Sequence, residues 1–136
     1  MLYHIKQHLI SFIFIAIICY LSFFTPPKTD LDEITNLDKL VHFCMYFGLS
    51  SVIWIEYLWH HTSANWRQLF PVAVLFPILM SGIIEILQET CTETRSGDWM
   101  DFIANSIGAL TSIPASHYIY RHLINTYFDK YRKHIK

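Results

Sequence analysis

Charge is scarce in this sequence. Asp, Glu, Lys and Arg make up 15% of its 136 residues, against roughly 25% in an ordinary soluble domain, while hydrophobic residues reach 53%. That deficit argues against a surface bathed in water and for a bilayer. Neither sign dominates: the formal net charge is −1, which excludes a broad basic field that would gather nucleic acid. Cysteine is sparse too. Cys19, Cys44 and Cys91 are odd in number and have no CxxC spacing, so they read as small hydrophobes or free thiols. Catalytic signatures are also missing: no elbow serine, P-loop, dinucleotide fingerprint or HExxH occurs. The length suits one compact domain spanning 1–136.

What the chain has is apolar runs. Leu9 to Phe24, Leu40 to Trp59, Leu69 to Leu87 and Trp99 to Tyr120 each approach the roughly 20 residues a helix needs to cross a ~30 Å hydrocarbon core. The first also resembles a signal peptide, but it lacks a small-x-small cleavage site and runs into Pro26-Pro27, which stops a helix. Buried helices of a soluble bundle are the competing interpretation, although nothing amphipathic is left to face water. The expected fold is therefore all-α, a polytopic bundle of four transmembrane helices.

Lys and Arg assign the sides. Placing both termini in the cytoplasm puts Lys6, Arg67, Arg121, Lys130, Arg132, Lys133 and Lys136 inside, seven of the ten bases, as the positive-inside rule requires. Lys28, Lys39 and Arg95 then lie outside. So do all the acids except Glu56 and Asp129. The basic, aromatic tail after Tyr120 suits an anionic inner leaflet. Glu56 is expected to snorkel to the headgroups.

This topology brings polar residues from three stretches to one level. Asp38, Lys39 and His42 open the second span, Glu85, Gln88 and Glu89 close the third, and Asp98, Asp101 and Asn105 open the fourth. Spacings of three and four keep each set on one helical face. Ala104, Gly108, Ser112 and Ser116 form a small-residue ridge suited to close helix packing, and Pro114 should kink or loosen the helix beyond it. Simpler roles exist for several residues. Asp98 can cap its helix, Thr35 and Asp38 match a capping-box spacing, and Glu89 and Glu93 can be solvated. Capping does not account for Glu85, Gln88, His42, Asp101 and Asn105 together. An acid at the bilayer centre costs about 2.5–3.5 kcal/mol, less near the interface, so an intramembrane carboxylate marks either a functional site or a neutralised structural network.

Chemically, the cluster suits three roles. Carboxylates with His42 can hold a divalent cation, though no ligand spacing specifies a metal or any other cofactor. His42 with Glu85 or Asp101 can perform catalytic proton transfer on a lipid-linked substrate. Lys39 and Arg95 can grip an anionic headgroup. Alternatively the network only fixes helix register.

The stretches DKLVHFCMYFGL, IIEILQE and RSGDWMDFIANSIGA, with YLSFFTPP before them, resemble the VanZ-like family of small bacterial membrane proteins, in order and spacing across nearly the whole chain. The resemblance places the family's polar signature on Asp38, Lys39, His42, Tyr46, Glu85, Gln88, Arg95, Asp98, Asp101, Asn105 and Gly108. Ser112 stands where a second small residue is often glycine. The resemblance implies a multi-pass protein of the bacterial cytoplasmic membrane, and the family's namesake is associated with low-level teicoplanin resistance. The expected function is an outward-facing pocket for an envelope lipid or cell-wall component, with Asp38, Lys39, Tyr46, Gln88, Arg95, Asp98 and Asn105 binding. A membrane-embedded enzyme using His42, Glu85 and Asp101, or a structural partner, are the alternatives.

Overall fold

The computed structural model describes residues 8–24, 37–61, 65–91 and 97–134, with side chains described as far as 127. They form four helices and, among the described residues, no strand. Helix α1 is Leu9–Phe23 and α2 is Leu37–His60. Helix α3 runs Trp66–Cys91, and α4 begins as Trp99–Ala115 and continues unbroken through Ser116–Tyr120 into Arg121–His134. Two of these, α2 and α3, are long and apolar enough to cross a membrane. Helix α1 is apolar but has 15 residues, about 22 Å of rise. The stretch Arg121–His134, rich in Arg, Lys and His, makes α4 more polar than the other three.

Prolines shape α3 and α4. Pro77 has no N–H, and its ring crowds the carbonyl of Ala73. The turn before it, Pro71–Leu75, widens to π geometry, so that the Phe76 N–H reaches back to the Pro71 carbonyl. In α4 the hydroxyls of Thr111, Ser112 and Ser116 donate to the carbonyls of Gly108, Ala109 and Ile113 around Pro114. The helix then widens at Ser116–Tyr120, the loosening expected of that proline.

Helix α2 is the centre of the bundle. Its buried positions His42, Tyr46, Leu49, Ser50, Ile53 and Trp54 recur at three and four, one continuous stripe. Tyr46, Leu49, Ile53 and Trp54 join Ile18 of α1 and Leu69, Ala73, Val74 and Ile84 of α3 in the apolar core. Its most extensive contact is with α4. There the two backbones meet at Gly108, where a Cβ would collide with the Phe43 carbonyl oxygen and come within 3.0 Å of the Phe47 nitrogen. Trp54 Nε1 donates to Ser112 Oγ at 3.1 Å and Tyr120 Oη to Ser51 Oγ at 2.7 Å, so the ridge carries hydrogen bonds as well as close approach. Outside this core, Leu79, Ile83 and Ile86 of α3 and Ile103, Ile107 and Leu110 of α4 are exposed. Such a continuous apolar surface belongs in lipid or against another protein.

Glu56 departs from expectation. It is 7% exposed rather than reaching toward headgroups, and its carboxylate caps α1 from another helix. Oε1 accepts from the Ile10 and Ser11 amides at 2.9 and 3.3 Å, Oε2 from Ser11 Oγ at 2.5 Å, and His8 Nδ1 lies 3.4 Å away. The amides that open a helix lack internal partners and carry the positive end of its dipole. A carboxylate there is satisfied without water, and snorkelling brings no further gain.

Gly108→Ala therefore costs about 1–3 kcal/mol by overpacking, read as earlier thermal unfolding in lipid nanodiscs. Gly82→Ala is the control. Its Cβ would meet only the Phe102 ring at 3.4 Å, and its unfolding should match the parent's.

Candidate functional site

The polar stripes of α2, α3 and α4 meet at one end of the bundle. Lys39 projects from the first turn of α2 between two acids of α4, with Nζ 2.5 Å from Asp98 Oδ2 and 2.5 Å from Asp101 Oδ1. Asp38 Oδ2 is 4.0 Å off. Two of the three ammonium donors are thus committed inside the protein. One turn on, His42 is 7% exposed and both ring nitrogens face acceptors. Nδ1 is 3.2 Å from Asn105 Oδ1, while Nε2 is 3.4 Å from Asp101 Oδ2 and 3.7 Å from Asp38 Oδ1. Asn105 spends its other end on α3, donating from Nδ2 to Ser81 Oγ at 2.8 Å.

The α3–α4 corner is built from backbone amides. Asp98 caps α4 by accepting the Met100 N–H at Oδ1, 2.8 Å, while its own N–H donates to Glu85 Oε2 at 2.9 Å. The preceding amide, Gly97, donates to Glu89 Oε2 at 3.0 Å. Gly97 lies so close to α3 that a Cβ would approach the Glu85 carbonyl oxygen at 2.5 Å. Capping and site-building are therefore compatible for Asp98, whose two oxygens serve different donors. The Lys39 ammonium, and after it the Met100 N–H, hold its carboxyl below the usual carboxylate range.

Not every polar group is satisfied. Glu85 Oε1, Tyr46 Oη and Ser50 Oγ are buried without a hydrogen-bond partner among the described residues. Tyr46 is 1% exposed and lies beside Ser81 and Glu85. An unpaired buried acceptor costs about 1–3 kcal/mol, more if charged.

The sequence-derived residues thus divide. Asp38, Lys39, His42, Asp98, Asp101 and Asn105 form one connected network, joined through Asp98 to Glu85. Gln88 is buried elsewhere, donating from Nε2 to the Ser22 carbonyl of α1 at 2.7 Å. Arg95 and Thr35 lie outside the described residues. Ser81 was missed, although it precedes Glu85 by four residues and Gln88 by seven on the same face. Gly97 was missed too. Asp38, His42 and Asp101 offer one atom each within 4.8 Å of one another, close enough to share a divalent cation, but the Lys39 ammonium already brings positive charge to that corner.

Removing Lys39 leaves two acids facing each other. Lys39→Met is expected to lower stability by about 2 kcal/mol, between the exposed and buried limits for a broken ion pair. Adding Asp101→Asn should recover most of that loss in thermal unfolding, because one uncompensated charge disappears with it.

Comparison with curated proteins and with solved structures found no match. The model of the VanZ/LLP1 family matches residues 3–122, a stretch that includes the whole polar network. On that coverage, the chain belongs to the VanZ/LLP1 family.

Proposed function

We propose that this VanZ-like protein lies in the bacterial cytoplasmic membrane as a multi-pass bundle with both termini cytoplasmic. Its polar end then faces outward and binds the headgroup of an envelope lipid or a lipid-linked cell-wall component. The exposed apolar faces of α3 and α4 suit a lipid-facing surface, and the bias of Lys and Arg toward the opposite end favours this orientation. One observation carries the binding role: Glu85, buried at the edge of the network, keeps an oxygen that has no hydrogen-bond partner among the described residues. A purely structural network gains nothing from that, whereas a binding site leaves acceptors for its ligand.

The family namesake's link to teicoplanin is in keeping with an envelope ligand. Acid–base catalysis by His42, Glu85 and Asp101 is the second reading, favoured by the 3.4 Å His42–Asp101 pair. Against it, both imidazole nitrogens already face internal acceptors, and a general base needs one directed at substrate.

Purification from membranes followed by native mass spectrometry separates the readings. The expected result is one lipid class retained through detergent exchange, lost in Glu85→Ala, with no turnover of labelled membrane lipids. Turnover abolished by His42→Ala would establish the enzyme instead, and failure to retain any lipid would refute the binding role.

A further inference from the structure

Three polar atoms of α2 and α4 converge beside the Lys39 ammonium without bonding one another. His42 Nε2 lies 3.4 Å from Asp101 Oδ2 and 3.7 Å from Asp38 Oδ1, and the three residues each offer one atom within 4.8 Å of the others. Those separations are too long for a charge-assisted N–H···O bond, which closes to about 2.7–2.9 Å. They suit ligands around one ion: with metal–nitrogen and metal–oxygen bonds of about 2.0–2.2 Å, tetrahedral neighbours stand about 3.3–3.6 Å apart. Among the described residues no hydrogen bond reaches Nε2, although the His42 side chain is only 8% exposed.

The tautomer follows from the donors behind the ring. Asn105 donates from Nδ2 to Ser81 Oγ, which turns its Oδ1 toward His42 Nδ1 at 3.2 Å. A carbonyl oxygen only accepts, so the imidazole proton sits on Nδ1 and Nε2 carries a lone pair. That lone pair faces two carboxylate oxygens, which repel it unless a positive charge lies among them. A second proton on Nε2 would draw one oxygen into hydrogen-bond distance, and neither is there. An imidazole held through its far N–H by a carbonyl oxygen is the arrangement of a metal-ligating histidine. Lys39 does not fill this position. Its ammonium holds Asp101 through Oδ1 and Asp98 through Oδ2, and approaches Asp38 only at Oδ2, 4.0 Å away. Asp101 Oδ2 and Asp38 Oδ1 are left for another cation, and the Asp38 side chain, 59% exposed, gives it a way in.

We propose that His42 Nε2, Asp101 Oδ2 and Asp38 Oδ1 bind one divalent transition-metal ion, zinc foremost, at the polar end of the seam between α2 and α4. One imidazole with two carboxylates suits zinc better than magnesium or calcium, which take oxygen ligands. Three protein ligands leave a fourth position open on the side of Asp38. The inference is independent of the envelope-ligand reading, which rests on Glu85.

The test is a calorimetric titration of zinc into the full-length, tag-free protein in phosphatidylcholine nanodiscs, stripped of metal beforehand by a chelator, with thermal unfolding followed in parallel. One ion per chain should bind, and saturation should raise the unfolding midpoint, because an ion that binds only the folded state stabilises it. Asp38→Asn, at an exposed position where folding is not at stake, should weaken binding by at least about tenfold and remove the zinc-dependent rise in the midpoint. His42→Gln should abolish both, and circular dichroism checks that it folds; if it does not, Asp38→Asn decides alone. Cys44 and Cys91 are exposed thiols, so the titration is repeated with Cys44→Ser and Cys91→Ser combined, which should leave binding unchanged. Absence of zinc binding, binding indifferent to Asp38→Asn, or binding lost with the two thiols would each overturn the proposal.

Discussion

The Lys39 ammonium joins α2 to α4, and the polar end of the bundle is arranged around it. Asp98 and Asp101 would otherwise repel each other at the start of α4, where the Met100 N–H and the helix dipole favour them. With Lys39 between them, the first turn of α4 is fixed against α2. Asp101 can then face His42, and Asn105 can bridge from His42 to Ser81 on α3. Gly108, two turns below Asp101, makes this possible. Any larger residue would hold the two backbones apart at Phe43 and stretch the contacts above it.

The two ends of the molecule use carboxylates in different ways. At the end away from Lys39, Glu56 is saturated, with each oxygen accepting hydrogen bonds from the first turn of α1, so it reads as a structural clamp. Glu85 is half saturated. Its Oε2 is held by the Asp98 amide, and its Oε1 has no partner among the described residues. Burial is nearly equal for the two, 7% and 6% exposed, so depth does not separate clamp from site. Partner count does.

Much of the polar end was legible from spacing. Asp38 with His42, and Asp101 with Asn105 and Gly108, fall on single helical faces, and the small ridge told which face of α4 would be closest to a neighbour. What remained hidden was contact across the fold. Glu56 answers amides 45 and 46 residues away, and Gln88 a backbone carbonyl of α1. Backbone groups carry no sequence signature. Gly97 was unreadable for a similar reason: its close approach to α3 depends on where α4 starts relative to Glu85. Helix lengths were legible to within a turn for α1, while α2 and α3 extend past their apolar cores into exposed, more polar turns such as Trp66–Gln68 and Glu89–Cys91.

The central claim is that Glu85 is kept for a ligand rather than for the bundle. Thermal unfolding of Glu85→Gln in lipid nanodiscs tests it most directly. Gln retains the acceptor for the Asp98 amide and removes the buried charge, so the account predicts a midpoint equal to or above that of the parent protein. A fall as large as that caused by removing Lys39 would contradict it and make Glu85 one more strut of the network.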